Sequence, residues 1–117
     1  MEVQIFGIRK DAAVRKALRF FAERRIKTHF VDFAVRGPSV GELKRFTERF
    51  GAAALVDRDS RRFTELGLGP ARYGEEKWLS LLVAEPLLLK LPLARCAGQL
   101  TVGLDEPAWT LWVTDPT

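Results

Sequence analysis

One thiol and one imidazole, those of Cys96 and His29, are all that 117 residues supply of those groups. A lone cysteine excludes an internal disulfide, a CxxC redox pair and a thiolate-rich zinc site. A lone histidine leaves histidine-based metal sites equally poor, so neither a metal nor a cofactor is expected. The stretch best placed for chemistry is Gly7-Ile8-Arg9-Lys10-Asp11, between a strand-like run and a helix-patterned one. Such a junction presents helix N-terminal amides and is a usual place for an anion or a low-pKa thiolate. Here the residue at the helix entrance is Asp11. As an N-cap, its carboxylate accepts from an amide two or three residues on and sits at the positive end of the helix dipole. As an acyl or phosphoryl acceptor it would need an activating cation, for which Arg9 and Lys10 are the local candidates. Arg15, Lys16 and Arg19 lie off the apolar stripe of the same helix, a basic face suited to an acidic protein surface or to weak nucleic-acid binding through residues 11–25.

The other residues able to do chemistry have plainer alternatives. Arg58, Arg61 and Arg62 could form a basic patch, but they alternate with Asp57, Asp59 and Glu65 as a salt-bridged solvent face would. His29 sits near the start of a half-buried strand with no cysteine, serine motif or second histidine to use it, and reads as a surface or hydrogen-bond-satisfied residue and not as a base. Cys96 has only Arg95 nearby to lower its pKa, and reads as a small apolar residue or an incidental surface thiol.

The elements that must position these residues follow from periodicity. Residues 3–6 form a strand, and Val14, Ala17, Leu18 and Phe21 recur at helical spacing up to about residue 25. The alternating run 28–33 is a second strand, and strand-helix-strand order makes it parallel to the first. After Gly37-Pro38, Ser39 and Glu42 form a capping box, the next helix buries Leu43, Phe46 and Phe50, and Gly51 ends it. A short helical stretch is expected within residues 54–68. Residues 75–84 are helical with Trp78, Leu81 and Leu82 inward, and Pro86 stops them. A hairpin follows, residues 93–95 and 99–102 around Ala97-Gly98. A last helix carries Trp109, Leu111, Trp112 and Val113, where helical spacing assigns the two tryptophans to the core, the alternative being an aromatic patch facing a partner.

Several of these stretches together resemble the arsenate reductase/Spx family, a thioredoxin-like family. Phe6-Gly7-Ile8 and Val14-Arg15-Lys16-Ala17 are similar to its opening strand and basic helix. Pro86-Leu87-Leu88-Leu89-Lys90-Leu91-Pro92-Leu93 is similar to its Pro-x-Leu-Ile-x-Arg-Pro pattern. Gly103-Leu104-Asp105-Glu106 is similar to the approach to its last helix. The resemblance implies an α/β, thioredoxin-like fold with a four-stranded mixed sheet flanked by helices, and a cis peptide before Pro92. It places the family's nucleophilic cysteine at Asp11 and its oxyanion-holding arginines at Asp57 and Leu91. No catalytic residue is therefore expected. The implied protein is a non-catalytic binding or regulatory module, with Arg9, Lys10, Asp11, Arg15, Lys16, Arg19 and Pro92 as binding candidates. The transcription machinery is the partner by family resemblance alone. The alternatives are a thiol-dependent reductase with an atypical site, acting on arsenate or a glutathione-linked disulfide, and weak nucleic-acid binding through the basic helix.

Composition sets the frame. With 47% apolar residues and this length, one domain spanning residues 1–117 is expected. Nineteen Lys and Arg against fifteen Asp and Glu give a formal charge of +4, an excess small enough for an ordinary solvated surface. No apolar run is long enough to span a bilayer and the first residues lack secretory-signal order, so a cytoplasmic protein is expected, without a membrane partner.

Overall fold

The computed structural model describes residues 1–114, which form two compact units: Met1–Arg36 with the chain from Leu91 onward, and Gly37–Lys90. The first unit holds the sheet. Strand β1 (Glu2–Gly7) leads into helix α1 (Ala12–Glu23), which returns the chain to β2 (Lys27–Asp32). The crossover makes β2 parallel to β1, with Gln4 opposite His29 and Gly7 opposite Asp32. Strand β3 (Leu93–Cys96) lies antiparallel on the other side of β1, pairing Gln4 with Arg95 and Phe6 with Leu93, and β4 (Gln99–Val102) closes the hairpin. The order is β2-β1-β3-β4, the expected four-stranded mixed sheet.

Alternation along β1 sends Val3 and Ile5 to one face, where they meet Ala17, Phe20 and Phe21 of α1 and Trp109 and Trp112 of helix α5 (Glu106–Thr114). Both tryptophans are buried, so they belong to the core and form no partner-facing patch. The Trp109 indole N–H donates to the Thr101 hydroxyl at 2.9 Å, and among the described residues no buried side-chain nitrogen or oxygen lacks a partner. Each such large side chain contributes about 1.5–3 kcal/mol by leaving water. Leu111, between the two tryptophans, is 67% exposed, because a helix packed on one side turns the intervening position to solvent.

The second unit is helical. Helix α2 (Val40–Phe50) has the expected capping box, Ser39 accepting from the Glu42 amide at 3.1 Å while the Glu42 carboxylate accepts from the Ser39 amide at 2.9 Å. Leu43 and Phe46 are buried, but Phe50 is 38% exposed. It lies in line with the stripe on the final helical residue, and the chain swings away at Gly51, whose φ of 82° suits glycine. The short helical stretch expected within residues 54–68 occupies only part of that range. A 3-10 turn (Ala52–Leu55) is followed by a loop through Asp57 and then helix α3 (Arg61–Glu65), capped by Ser60. Helix α4 (Glu75–Ala84) packs on α2, and its Glu75 carboxylate accepts from the Ala52 amide at 2.9 Å. A single antiparallel bridge, Val56 to Leu89, ties the loops together.

Candidate functional site at the β1–α1 junction

The junction is built around a close approach. A Cβ added to Gly7 would lie 2.5 Å from Val14 Cγ2, so only glycine lets the end of β1 pass this close to the first turn of α1. The Asp11 amide then donates to the Ile8 carbonyl at 2.9 Å, and the Arg15 amide to the Asp11 carbonyl at 3.0 Å. Asp11 Oδ1 accepts from the Val14 amide at 3.0 Å. Its carboxylate is thus the helix cap, bound to the donor that the first turn cannot satisfy from within.

The cations around it divide into two kinds. The Arg15 guanidinium reaches back over the loop, donating from Nε to the Arg9 carbonyl at 3.3 Å and from Nη2 to the Lys10 carbonyl at 3.1 Å. Arg9 stacks its guanidinium 4.8 Å from the centre of the Phe30 ring. These two hold the loop in place. Lys10, Lys16 and Arg19 are exposed and make no ion pair among the described residues. Ile8, Arg9, Lys10, Arg15, Asp32 and Ala34 line a concavity of about 400 Å³ beside the junction. The Arg15 latch escaped sequence reasoning because its partners are backbone carbonyls, which no residue pattern marks.

The peptide before Pro92 is cis, as the resemblance implies. Pro92 immediately precedes Leu93, which pairs with Phe6, so it lies at the same end of the sheet as Gly7 and Asp11. Leu91 and Pro92 are both buried, and the Pro92 carbonyl accepts from the Gly103 amide at 2.8 Å. The structure therefore gathers Arg9, Lys10, Asp11, Arg15, Leu91 and Pro92 at one sheet end, with Lys16 and Arg19 further along α1.

Asp57 belongs to the helical unit. There its Oδ1 accepts from the Asp59 amide at 3.0 Å, closing a turn, while its own amide donates to the Leu88 carbonyl at 2.8 Å. Among the neighbouring arginines, Arg62 forks onto Glu85 at 2.8 and 3.0 Å and also reaches Glu65, and Arg61 pairs with Glu65 at 3.7 Å. The hydrogen bonds from Arg62 hold the Glu85 carboxyl below the usual carboxylate range. These groups satisfy one another, which favours the salt-bridged surface over a basic patch.

Cys96 ends β3 at the other extreme of the sheet. It is four residue steps along the strand from Pro92, roughly 13 Å at an ordinary rise per residue. It is half-buried against the core, and burial pushes its thiol pKa up. Among the described residues no group of three or more His, Cys, Asp or Glu side chains could hold a metal ion, and no helix is long and apolar enough to cross a membrane.

Residues 6–110 match the family model described as the ArsC family. The chain belongs to the ArsC family. Two relatives cover nearly its full length: an uncharacterized protein of Haemophilus influenzae, 27% identical over 105 residues, spanning 89% of this chain and 92% of that one, and the uncharacterized protein YusI of Bacillus subtilis, 27% identical over 110 residues, spanning 91% and 93%. Among solved structures, the YFFB protein superposes with a TM-score of 0.86 at 24% identity over 92% of this chain and 96% of that one. An arsenate reductase from Vibrio cholerae superposes with a TM-score of 0.77 at 25% identity, covering 88% and 90%. The fold of this ArsC-family chain is thus the thioredoxin-like α/β arrangement, with a four-stranded mixed sheet and, among the described residues, five α-helices.

Proposed function

We propose that this ArsC-family protein is non-catalytic and acts as a binding module. Asp11 stands in for the family's nucleophilic cysteine, and Asp57 and Leu91 for its oxyanion-holding arginines. Thiol-based reduction needs an attacking thiolate, a helix N-terminus or cation to lower its pKa, and a cationic cradle for the oxyanion. The observation that carries the reading is the bond from the Val14 amide to the Asp11 carboxylate. The helix N-terminus that would activate a thiolate is occupied by a capping side chain, and the one thiol lies at the other end of the sheet with its pKa raised.

What remains at the junction is a cationic surface on a rigid support. Lys10, Lys16 and Arg19 project from a loop and helix fixed by Arg15 and Gly7, an arrangement suited to an acidic protein surface. By family resemblance that partner belongs to the transcription machinery. The test is affinity purification of the tagged protein from its own nuclease-treated lysate, beside the triple variant Lys10→Glu, Lys16→Glu, Arg19→Glu. A partner recovered near one-to-one with the parent chain and lost from the variant supports the proposal. Recovery of no protein, or recovery indifferent to charge reversal, contradicts it. Arg9 and Arg15 are left intact because both hold the loop.

A further inference from the structure

The face of the sheet opposite α1 and α5 carries a row of polar side chains for which the β1–α1 junction has no use. Register sets it: Gln4 on β1 lies opposite His29 on β2 and opposite Arg95 on β3. Residues directly opposite share a face, so a guanidinium, a carboxamide and an imidazole stand side by side across three strands, with about 4.8 Å from each strand to the next. At the junction end the same face is closed, since Phe6, Val31 and Leu93 are buried. At this end it is open. Gln4 and Arg95 are half-exposed, His29 is exposed, and with Glu2 and Ala97 they line a concavity of about 360 Å³.

The hydrogen-bonding state of the row points to a ligand. Among the described residues the side chains of Gln4 and His29 make no hydrogen bond, and Arg95 makes no ion pair. Arg95 donates from Nε to the Ala97 carbonyl at 3.3 Å, which leaves both of its terminal nitrogens free while fixing the direction of the group. The carboxylate at the rim, Glu2, is offset by Lys27 at 3.6 Å. A volume in this range suits a small molecule. Three donors side by side on three strands, lining one concavity, suit a tetrahedral oxyanion, which offers an acceptor to each, and the planar guanidinium is the side chain best shaped for paired phosphate oxygens.

We propose that Arg95, Gln4 and His29 form a binding site for a phosphate group on the open face of the sheet, at the opposite end from Asp11. The test is NMR titration of the ¹⁵N-labelled full chain at low ionic strength, first with inorganic phosphate and then with glycerol 3-phosphate, against chloride matched for ionic strength. Saturable shifts are expected at the Gln4 side-chain amide, the Arg95 Nε–H and the His29 ring, with Kd of roughly 1 mM. Arg95→Gln should weaken binding about tenfold, the effect of losing one charged hydrogen bond. Arg95→Lys, which keeps the charge and loses the fork, should weaken it severalfold and serves if Arg95→Gln fails to fold. Arg45→Glu, at an exposed position of α2, should leave it unchanged. Tighter binding of glycerol 3-phosphate identifies a phosphomonoester as the source, and equal or weaker binding identifies free phosphate. Shifts that grow linearly without saturation, that appear only around Arg9 and Lys10, or that survive both Arg95 substitutions overturn the proposal.

Discussion

Replacing Asp11 by alanine separates a capping residue from a reactive one. Among the described residues its carboxylate has one backbone partner, the Val14 amide at 3.0 Å, and that amide has no acceptor within the helix. Removing an N-cap oxygen costs about 1 kcal/mol, within a range of roughly 0.5–2. At an unfolding entropy of about 2.1 cal/mol/K per residue, a chain of 117 residues loses about 4 °C of Tm per kcal/mol. Asp11→Ala should therefore melt about 4 °C below the parent in differential scanning calorimetry. Asp11→Asn keeps the acceptor and loses only the favourable charge at the helix dipole, so it should fall between the two. A residue held for reactivity behaves in the opposite way, since its removal commonly leaves stability unchanged or raises it. An Asp11→Ala variant that melts at or above the parent temperature would refute the capping assignment.

Three further outcomes follow from the same geometry. Gly7→Ala should destabilise by about 1–3 kcal/mol in urea unfolding, because the added Cβ meets Val14 Cγ2 at 2.5 Å in a core that must shift to admit it. Ala97→Gly should stabilise by about 1 kcal/mol in the same assay, since Ala97 sits at a φ of 53° that costs an L side chain and not glycine. Cys96 should alkylate with iodoacetamide more slowly at pH 8 than a free cysteine. A raised pKa means less thiolate below it, so the rate should climb as pH rises beyond the ordinary thiol range. Denaturant should abolish the difference, and a fast reaction in the native state at pH 7 would contradict the burial described for it.

The parts of this fold that are legible in the sequence are those governed by local pattern. Asp11 before Val14, Ala17 and Phe21 announces a capped amphipathic helix, and Ser39 with Glu42 announces another; both caps are present. The parallel pairing of β2 with β1 follows from the handed crossover through α1. What escapes the sequence depends on how elements end or meet. Phe50 has the right angular position and fails to bury because its helix stops there. In the Ala97-Gly98 turn, the left-handed residue is the alanine. Which part of residues 54–68 is helical is not marked by spacing: the Asp57 side chain accepts from the Asp59 amide and holds a turn ahead of α3. The row of His29, Gln4 and Arg95 exists only through the pairing of β1 with both β2 and β3, the last far away in the chain, so no motif marks it. At the β1–α1 junction the residues were legible, whereas the tie of Arg15 to two carbonyls was not.

The most direct test of a non-catalytic junction is thiol-dependent reduction of arsenate by the purified full chain, with glutathione or a dithiol as reductant and the Cys96→Ser variant in parallel. The expected result is no turnover above the protein-free reaction for either protein, because Asp11 caps the helix and Cys96 lies at the far end of β3, roughly 13 Å along the strand from Pro92. Turnover by the parent chain that Cys96→Ser abolishes would contradict it, and would place the working nucleophile at the far end of the sheet.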